Sequence, residues 1–378
     1  MPSWTSLAFG APRLVQDEHN ASGPWYDGVH RLSDTHALGE VGAYTLATDD
    51  AGRTWRTLLG WKNETYAFGG IYSADGTRFH NAGSKITYIS PTGNVNVNVT
   101  AVTAPQTTRF YLGEKKGSFA RSVDRPFRIS GLPHISGFRV GSAASSLWLR
   151  DGTLLATSVT TGIGHARAGF LSVIALHSSD GGFNWQFSGV VASADEVAYA
   201  HEGPSENALA HLANGSVLCV MRVEGESGHH SPYVSKISDD GGRSWKHLRA
   251  LAAWPGTSWP GEKEATGPGC VRPRLVALNG SLLLSGGRPS PISRDVLVWL
   301  NGAGDGEAWR PYSVSYWHNR LVANKSWEMP PHLINDSRAL PRFDTSYTSL
   351  VRTGSTSAYV LYGAGLRAFA IPFTLSVK

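Results

Sequence analysis

The octapeptide Ser178-Ser-Asp-Gly-Gly-Phe-Asn-Trp185 sets the fold class, because its pattern returns as Thr48-Asp-Asp-Ala-Gly-Arg-Thr-Trp55 and as Ser238-Asp-Asp-Gly-Gly-Arg-Ser-Trp245. Each copy reads Ser/Thr-x-Asp-x-Gly-x-x-Trp, which we call the Asp box. The pattern suits a tight hairpin turn, in which the Asp accepts backbone N–H bonds, the Gly takes a positive φ and the Trp packs beneath the turn. It therefore predicts structural turns, and its Asp residues are not candidates for catalysis.

The spacing of the boxes indicates six repeats. The first two boxes begin 130 residues apart (48 to 178) and the next two 60 apart (178 to 238), so the longer interval is two periods of 65. A degenerate copy, Asn301-Gly-Ala-Gly-Asp-Gly-Glu-Ala-Trp309, follows one period later, and a Gly-containing turn, Leu112-Gly-Glu-Lys-Lys-Gly117, fills the empty position. With a period near 63, the 378 residues hold six units.

The units also contain paired apolar strands. Stretches 146–156, 209–221 and 275–284 each place an Asp-Gly or Asn-Gly turn between two apolar runs, and convincing helical periodicity is scarce. The composition agrees, because 43 Gly, 13 each of Trp, Tyr and Phe and only 17% charged residues suit short strands and tight turns. We predict an all-β fold, a six-bladed β-propeller with Asp-box turns, as a single domain over residues 1–378.

Charge and hydropathy limit the partners. The formal net charge of +5 is mild and the basic residues are scattered, so we expect no nucleic-acid partner and favour a small anionic ligand. No apolar stretch approaches the roughly 20 residues of a membrane span. The segment Met1–Gly10 lacks the features of a signal peptide, so the protein is either cytosolic or has lost its leader.

Glycosylation motifs favour a protein that has lost its leader over a cytosolic one. Seven of the fourteen asparagines begin an Asn-x-Ser/Thr motif, whereas chance predicts about two, so we expect a secreted eukaryotic protein whose leader is absent from this chain. The sequence Asn-Gly-Ser also favours tight turns, and this is an alternative explanation for the motifs at Asn214 and Asn279. The motifs begin at Asn20, Asn63, Asn98, Asn214, Asn279, Asn324 and Asn335. Cys219 and Cys270 either pair or remain free, and they leave the compartment undecided.

Two stretches carry a resemblance to a known family. One is Gly203-Pro-Ser-Glu-Asn-Ala-Leu-Ala-His-Leu-Ala-Asn-Gly-Ser-Val-Leu-Cys-Val-Met-Arg222, between two boxes, and the other is Thr345-Ser-Tyr-Thr-Ser-Leu-Val351. With the boxes, they make the chain resemble the sialidase family, including the trypanosomal sialidases and trans-sialidases, over essentially its full length. The resemblance implies that Glu206 is the catalytic Glu, Arg222 the second arginine of a substrate clamp and Tyr347 the nucleophile.

The resemblance places the remaining site residues by their position relative to the boxes. Arg13 matches the first clamp arginine, although only Arg-Leu survives of the family motif. Asp34 matches the acid/base Asp, with Asp27 as a substitute. Arg294 matches the third clamp arginine, with Arg288 as its rival. The family usually has a Glu after the nucleophile strand that holds the first arginine, and here the matching position is Gly363.

The chemistry of a sialic acid explains this set of residues. Several guanidinium groups suit its carboxylate, and a neutral Tyr avoids the repulsion that a carboxylate nucleophile would meet. The resemblance thus implies a retaining exo-α-sialidase acting on glycans that carry sialic acid or another nonulosonic acid, including the deaminated form, without cofactor. His165, His229 and His230 lack metal-ligand spacing, and we expect no metal and a monomer. The alternatives are a glycan-binding propeller without turnover and a propeller that acts on another sugar or serves as a protein scaffold.

Overall fold

The computed structural model describes most of the chain. The described residues are 6–17, 26–31, 35, 37–41, 44–57, 70–72, 78–81, 101–113, 119–132, 137–139, 145–163, 170–180, 184–197, 202–224, 231–253, 255, 271–287, 296–329, 347–364 and 367–376.

Strands dominate the described chain, as the sequence predicts. In chain order they are β1 (Ser6–Phe9), β2 (Arg13–Asp17), β3 (Tyr26–Arg31), β4 (Ala37–Val41), β5 (Tyr44–Thr48), β6 (Arg56–Thr57), β7 (Gly70–Tyr72), β8 (Arg78–Asn81), β9 (Ala101–Gly113), β10 (Phe119–Ser130), β11 (Gly137–Arg139), β12 (Ser146–Trp148), β13 (Leu154–Thr161), β14 (Leu171–Ser178), β15 (Asn184–Ala192), β16 (Pro204–His211), β17 (Val217–Val223), β18 (Val234–Ser238), β19 (Arg249–Ala250), β20 (Ala252–Ala253), β21 (Val271–Leu278), β22 (Ser281–Gly287), β23 (Val296–Asn301), β24 (Ala308–Ser313), β25 (Ser349–Arg352), β26 (Ser357–Ala364) and β27 (Arg367–Ser376). Helix α1 (Val314–Leu321) and two short 3₁₀ segments, Ala194–Val197 and Lys325–Trp327, accompany them.

The strands form up-and-down antiparallel sheets arranged as a propeller. Sheets β3–β6 and β16–β19 have four strands each, and sheet β21–β24 adds β20 in parallel at its edge. Strands β7–β15 form one nine-stranded sheet, because the end of β10 pairs in parallel with β15. The strands β3, β7, β12, β16, β21 and β25 contact one another in ring order, and β25 contacts β3. The fold is thus an all-β propeller, and the number of six blades stays a prediction.

The Asp boxes are hydrogen-bonded turns. In the third box the Asp240 carboxylate accepts bonds from the Ser244 backbone N–H (2.9 Å) and from the Ser238 and Ser244 hydroxyls (2.8 and 2.6 Å). Burial acts to raise the pKa of Asp240, but these bonds outweigh it and lower the pKa to about 2. Asp50 and Asp180 accept the same kinds of bond in their own boxes. Each of these carboxylates is therefore engaged in holding its turn.

The fourth, degenerate box keeps the same turn with different side chains. The Asn301 amide replaces the Ser hydroxyl, accepting from the Gly306 N–H (3.1 Å) and donating to Asp305 (2.9 Å). Its Trp309 is fully buried and donates its indole N–H to the Gly306 carbonyl (3.2 Å). Trp309 packs in an apolar cluster between sheets with Leu218, Tyr233 and Trp299 among others. The turn thus anchors one sheet to its neighbour through a large buried ring.

The first and last strands of the chain share one sheet. Strand β27 pairs with β26 on one side, and on the other it pairs with β1 (Leu7 with Leu375) and with β2 (Arg13 with Ala370). The order across this sheet is therefore β25, β26, β27 and then β1 with β2. Strands β1 and β2 are therefore as much part of this sheet as β25 to β27.

Helix α1 is the main departure from an all-strand chain. It begins after Ser313, whose hydroxyl accepts from the Tyr316 N–H, as an N-cap residue does. The helix buries His318 completely, between the Tyr362 hydroxyl (2.6 Å from Nδ1) and the Trp327 carbonyl (2.8 Å from Nε2). Desolvation lowers the pKa of His318 and outweighs the opposing effects of the Trp327 carbonyl and Glu328. The buried imidazole is therefore neutral at neutral pH.

This burial predicts a pH-dependent stability. The unfolded chain protonates His318 near its ordinary pKa of 6.5, whereas the folded chain resists protonation, so its contribution is present above that pH and is lost as pH falls. We expect the thermal midpoint of the wild type to fall from about pH 6.5 downward, and the slope over about pH 5 to 6.5 to flatten in His318→Gln. Thermal unfolding across about pH 5 to 8 tests this. Equal slopes in both proteins would contradict it.

Candidate active site

Three neighbouring strands bring the candidate residues to one end of the ring. Glu206 is the third residue of β16, Arg272 is the second of β21, and Tyr347 lies two residues before β25. The strands β16, β21 and β25 are edge strands of three different sheets, and they contact one another in that order. Each residue lies at or near the start of its strand, so the three side chains meet at the same end of the ring of strands. We call this end the mouth of the ring.

Glu206 accepts hydrogen bonds from three donors. Its Oε2 atom lies 2.9 Å from Arg222 Nη1 and 3.0 Å from the backbone nitrogen of Arg272. Its carboxylate also accepts a hydrogen bond from the Tyr347 side chain. An ionised carboxylate with 12% side-chain exposure needs such donors, and charge-assisted bonds of this kind are the strong ones. Two residues predicted from sequence, Glu206 and Tyr347, are thus in direct contact.

Tyr347 is a phenol that remains protonated in the resting site. Burial, and next the negative charge and hydrogen bond of Glu206, raise its pKa to about 12, against the opposing pull of Arg222 and Arg272. The Arg272 guanidinium lies over the ring, 5.4 Å from its centroid. Glu206 can therefore accept the hydroxyl proton. Arg222 and Arg272 can stabilise the negative charge that develops on the phenol oxygen when the proton leaves.

Arg222 joins two carboxylates. Its Nη1 binds Glu206 and its Nη2 binds Glu224, which directly follows β17. The side chains of Arg222 and Glu224 keep 14% and 19% of their surface exposed, so the pair lies at the wall of the site. The charges that act on Tyr347 are those of Glu206, Arg222 and Arg272, and Glu224 balances Arg222 on its other side.

Arg272 is a residue of this site that the sequence predictions did not include. It is 2% exposed, precedes Pro273 and has φ of +38°, a conformation that L residues rarely adopt and that proline disfavours further. Its backbone N–H reaches Glu206 from that conformation, and strained backbone tends to persist where function requires it. Glu224 is another such residue. It lies two residues after Arg222, a spacing that places both side chains on the same face of an extended chain.

Arg13 does not join this cluster. Across this sheet Ser349 of β25 pairs with Leu361 of β26, and Leu361 pairs with Ala370 of β27. Ala370 in turn pairs with Arg13 of β2. Three inter-strand steps separate Arg13 from the innermost strand, roughly 14 Å. Among the described residues, no hydrogen bond or ion pair joins Arg13 to Glu206 or Tyr347. The first clamp position of the sequence analysis therefore lies on the outer strand of the sheet.

Other predicted site residues fall outside what the structure describes. Asp34, Arg288 and Arg294 lie outside the described residues, and Asp27 is described in its backbone alone, within β3. Their assigned roles stay predictions. Gly363 is a buried residue of β26, paired with Ala368 in β27.

The remaining sequence predictions concern cysteines, metals and membranes. Cys219 is a free thiol whose complete burial raises its pKa, and Cys270 lies beyond the described ranges. Within the described part of the chain, no cluster of three or more His, Cys, Asp or Glu side chains could hold a metal ion. The same part contains no helix long and apolar enough to span a membrane.

Comparison with known proteins identifies the fold. No protein-family model matches the chain, and no curated protein matches it significantly. Among solved structures it is similar to a Dyadobacter fermentans protein of unknown function (TM-score 0.61, 13% identity, 98% of this chain and 99% of that chain). It is also similar to the Hadza microbial sialidase Hz136 (TM-score 0.53, 16% identity, 95% of this chain and 65% of that one). A Penicillium chrysogenum α-L-arabinanase is similar over 98% of this chain and 99% of its own, with TM-score 0.55 and 14% identity. The chain therefore shares the propeller fold of these structures, which include a sialidase and an arabinanase.

Proposed function

We propose that the protein is a retaining exo-α-sialidase that releases a terminal sialic acid or related nonulosonic acid, including the deaminated form, through a tyrosyl-glycosyl intermediate. The observation that carries the proposal is the hydrogen bond between Tyr347 and Glu206, beside two arginines. A phenol paired with a carboxylate base is an activated nucleophile, and guanidinium groups suit the carboxylate on the reacting carbon.

The first chemical step transfers the Tyr347 hydroxyl proton to Glu206 as the phenol oxygen bonds to the anomeric carbon. Because the pKa of Tyr347 is about 12, ionisation before attack is unfavourable and the proton must move during the attack. The bond from the anomeric carbon to the leaving oxygen breaks, and that oxygen takes a proton from the acid/base Asp, for which Asp34 is our candidate and Asp27 the substitute.

The second step reverses the first. Water attacks the anomeric carbon as it gives a proton to the acid/base Asp, and the phenol oxygen leaves with the proton held by Glu206. Arg222 and Arg272 bind the substrate carboxylate in both steps under this proposal, with Arg294 or Arg288 as a further member of the clamp. Arg13 would have to act from the outer strand.

Secretion forms part of the proposal. Of the predicted glycosylation asparagines, Asn214, Asn279 and Asn324 lie on exposed turns or segments, where a glycan could attach. The propeller needs no metal or other cofactor for this chemistry.

A second candidate function is hydrolysis of a neutral furanoside. The similar structures include an α-L-arabinanase complexed with arabinobiose. The observation that favours this reading is the presence of two carboxylates, Glu206 and Glu224, on either side of Arg222, since glycosidases for neutral sugars work with such a pair. The balanced charge of the site is compatible with a neutral ligand.

A substrate panel tests the proposal. We expect release of 4-methylumbelliferone from the α-glycoside of N-acetylneuraminic acid or of its deaminated analogue within about pH 4 to 8, where the carboxylate groups can act as base and acid. The α-L-arabinofuranoside serves as the comparison. Turnover of that compound alone would favour the furanosidase, and binding of sialosides without turnover would favour a glycan-binding propeller.

A further inference from the structure

We infer that Glu224 is a built-in counter-anion of Arg222, which sets how tightly the site holds a substrate carboxylate and which yields its place when that carboxylate binds. The inference rests on the proposed function, because it assumes an anionic substrate. It assigns to Glu224 control of affinity for the anion, separate from the reacting groups.

The geometry places Glu224 where a ligand anion would bind. Arg222 offers two terminal nitrogens, and Nη1 is held by Glu206 while Nη2 is held by Glu224. A planar guanidinium binds carboxylates through such nitrogens. An incoming carboxylate must therefore displace Glu224 from Nη2 or share the group with it.

The two glutamates differ in how firmly they are held. Glu206 accepts from Arg222, from the Arg272 backbone and from Tyr347, which fixes it in place. Among the described residues, Arg222 is the group that pairs with Glu224, and the Glu224 side chain is the more exposed of the two, 19% against 12%. Glu224 can therefore swing toward solvent at a smaller cost than Glu206.

The charge balance gives the arrangement a consequence for binding. With Arg222 and Arg272 opposed by Glu206 and Glu224, the described site is electrically balanced before any ligand enters. An unpaired, mostly buried guanidinium would be costly in the free protein, and Glu224 removes that cost. The same carboxylate repels a bound anion, whether substrate or released sugar acid, and so weakens the binding of both.

Binding of 2-deoxy-2,3-didehydro-N-acetylneuraminic acid, its deaminated analogue and the methyl ester of each tests the inference by calorimetry. In Glu224→Gln we expect both the affinity for an acid and the reciprocal of KM for the matching sialoside to rise roughly tenfold, as a lost like-charge contact allows. The uncharged methyl ester should bind equally to both proteins. The variant Glu224→Ala removes the same negative charge. It also removes the side-chain oxygen that, in Glu224→Gln, could still accept a hydrogen bond from Arg222.

A matched control changes the same charge elsewhere. Glu328→Gln alters an exposed residue that pairs with Lys325 on the surface, and we expect unchanged binding of every probe. Weaker or equal binding of the acid by both Glu224 variants, with binding by the wild type intact, would overturn the role of Glu224 and leave the sialidase proposal standing. Binding of neither acid by any of the proteins would overturn both.

Discussion

Tyr347→Phe is expected to lower kcat for the sialoside by at least about 10³-fold, because the variant lacks the oxygen that forms the covalent bond to the sugar. The remaining ring still fills its place beneath Arg272, so the shape of the pocket is kept. The loss should appear in kcat much more than in KM, since the hydroxyl acts in the transition state and the arginines bind the substrate.

A second tyrosine provides the control for this variant. Tyr359 is 2% exposed, and its buried hydroxyl has no hydrogen-bond partner among the described residues. Tyr359→Phe therefore removes a buried phenol oxygen without touching the site, and we expect unchanged turnover. Steady-state kinetics with the 4-methylumbelliferyl sialoside compares the two. Undiminished turnover by Tyr347→Phe would contradict the proposed covalent intermediate on Tyr347.

Trp309→Ala is expected to lower the free energy of unfolding by about 3–5 kcal/mol, the usual cost of truncating a fully buried aromatic ring. Trp309 is 0% exposed and packs between two sheets, so the cavity would be lined by residues of both. The variant also leaves the Gly306 carbonyl without its indole donor. Urea unfolding followed by tryptophan fluorescence measures the change.

The corresponding residue of the third box gives a matched comparison. Trp245 occupies the same position of the motif, but it is only half-buried against its apolar cluster. Trp245→Ala should cost about 1–2 kcal/mol, because less apolar surface is lost from the core. Equal losses for the two variants would show that the turn, and not the depth of burial, determines the contribution of the box tryptophan.

The fold could be predicted from sequence because its determinants are local and repeated. Each box stabilises its turn with bonds between residues only a few positions apart, as with Ser238, Asp240 and Ser244. Helix α1 has no counterpart in the other described units, and it follows directly from β24, so a search for periodic units passes over it. The pairing of β1 with β27 likewise depends on contacts between distant residues, which no local pattern records.

The family resemblance identified only those site residues that lie in a local motif. Glu206 and Arg222 lie in one hairpin and Tyr347 in one short segment, so the family resemblance reached them. Arg272 belongs to another sheet, and only the closed ring brings it to Glu206.

One signal in the sequence could have found Arg272. The three residues that meet at the mouth of the ring precede the hairpin glycine of their own unit by 9, 8 and 7 residues: Glu206 before Gly215, Arg272 before Gly280 and Tyr347 before Gly354. Where the first strands of the hairpins have similar lengths and their turns lie at one end of the ring, the beginnings of those strands lie together at the other end. Counting back from each such glycine therefore points to the residues at one mouth.

The sharing of one sheet by both ends of the chain has a consequence during synthesis. Leu7 pairs with Leu375, which follows it 368 positions later in the chain (375 − 7). At about 5–20 residues per second, the ribosome needs roughly 20–70 seconds to produce the second partner after the first. Throughout that time β1 is an unpaired edge, able to associate with the strands of another nascent chain. The emergence of β27 from the ribosome is therefore the step at which the edge of β1 becomes covered.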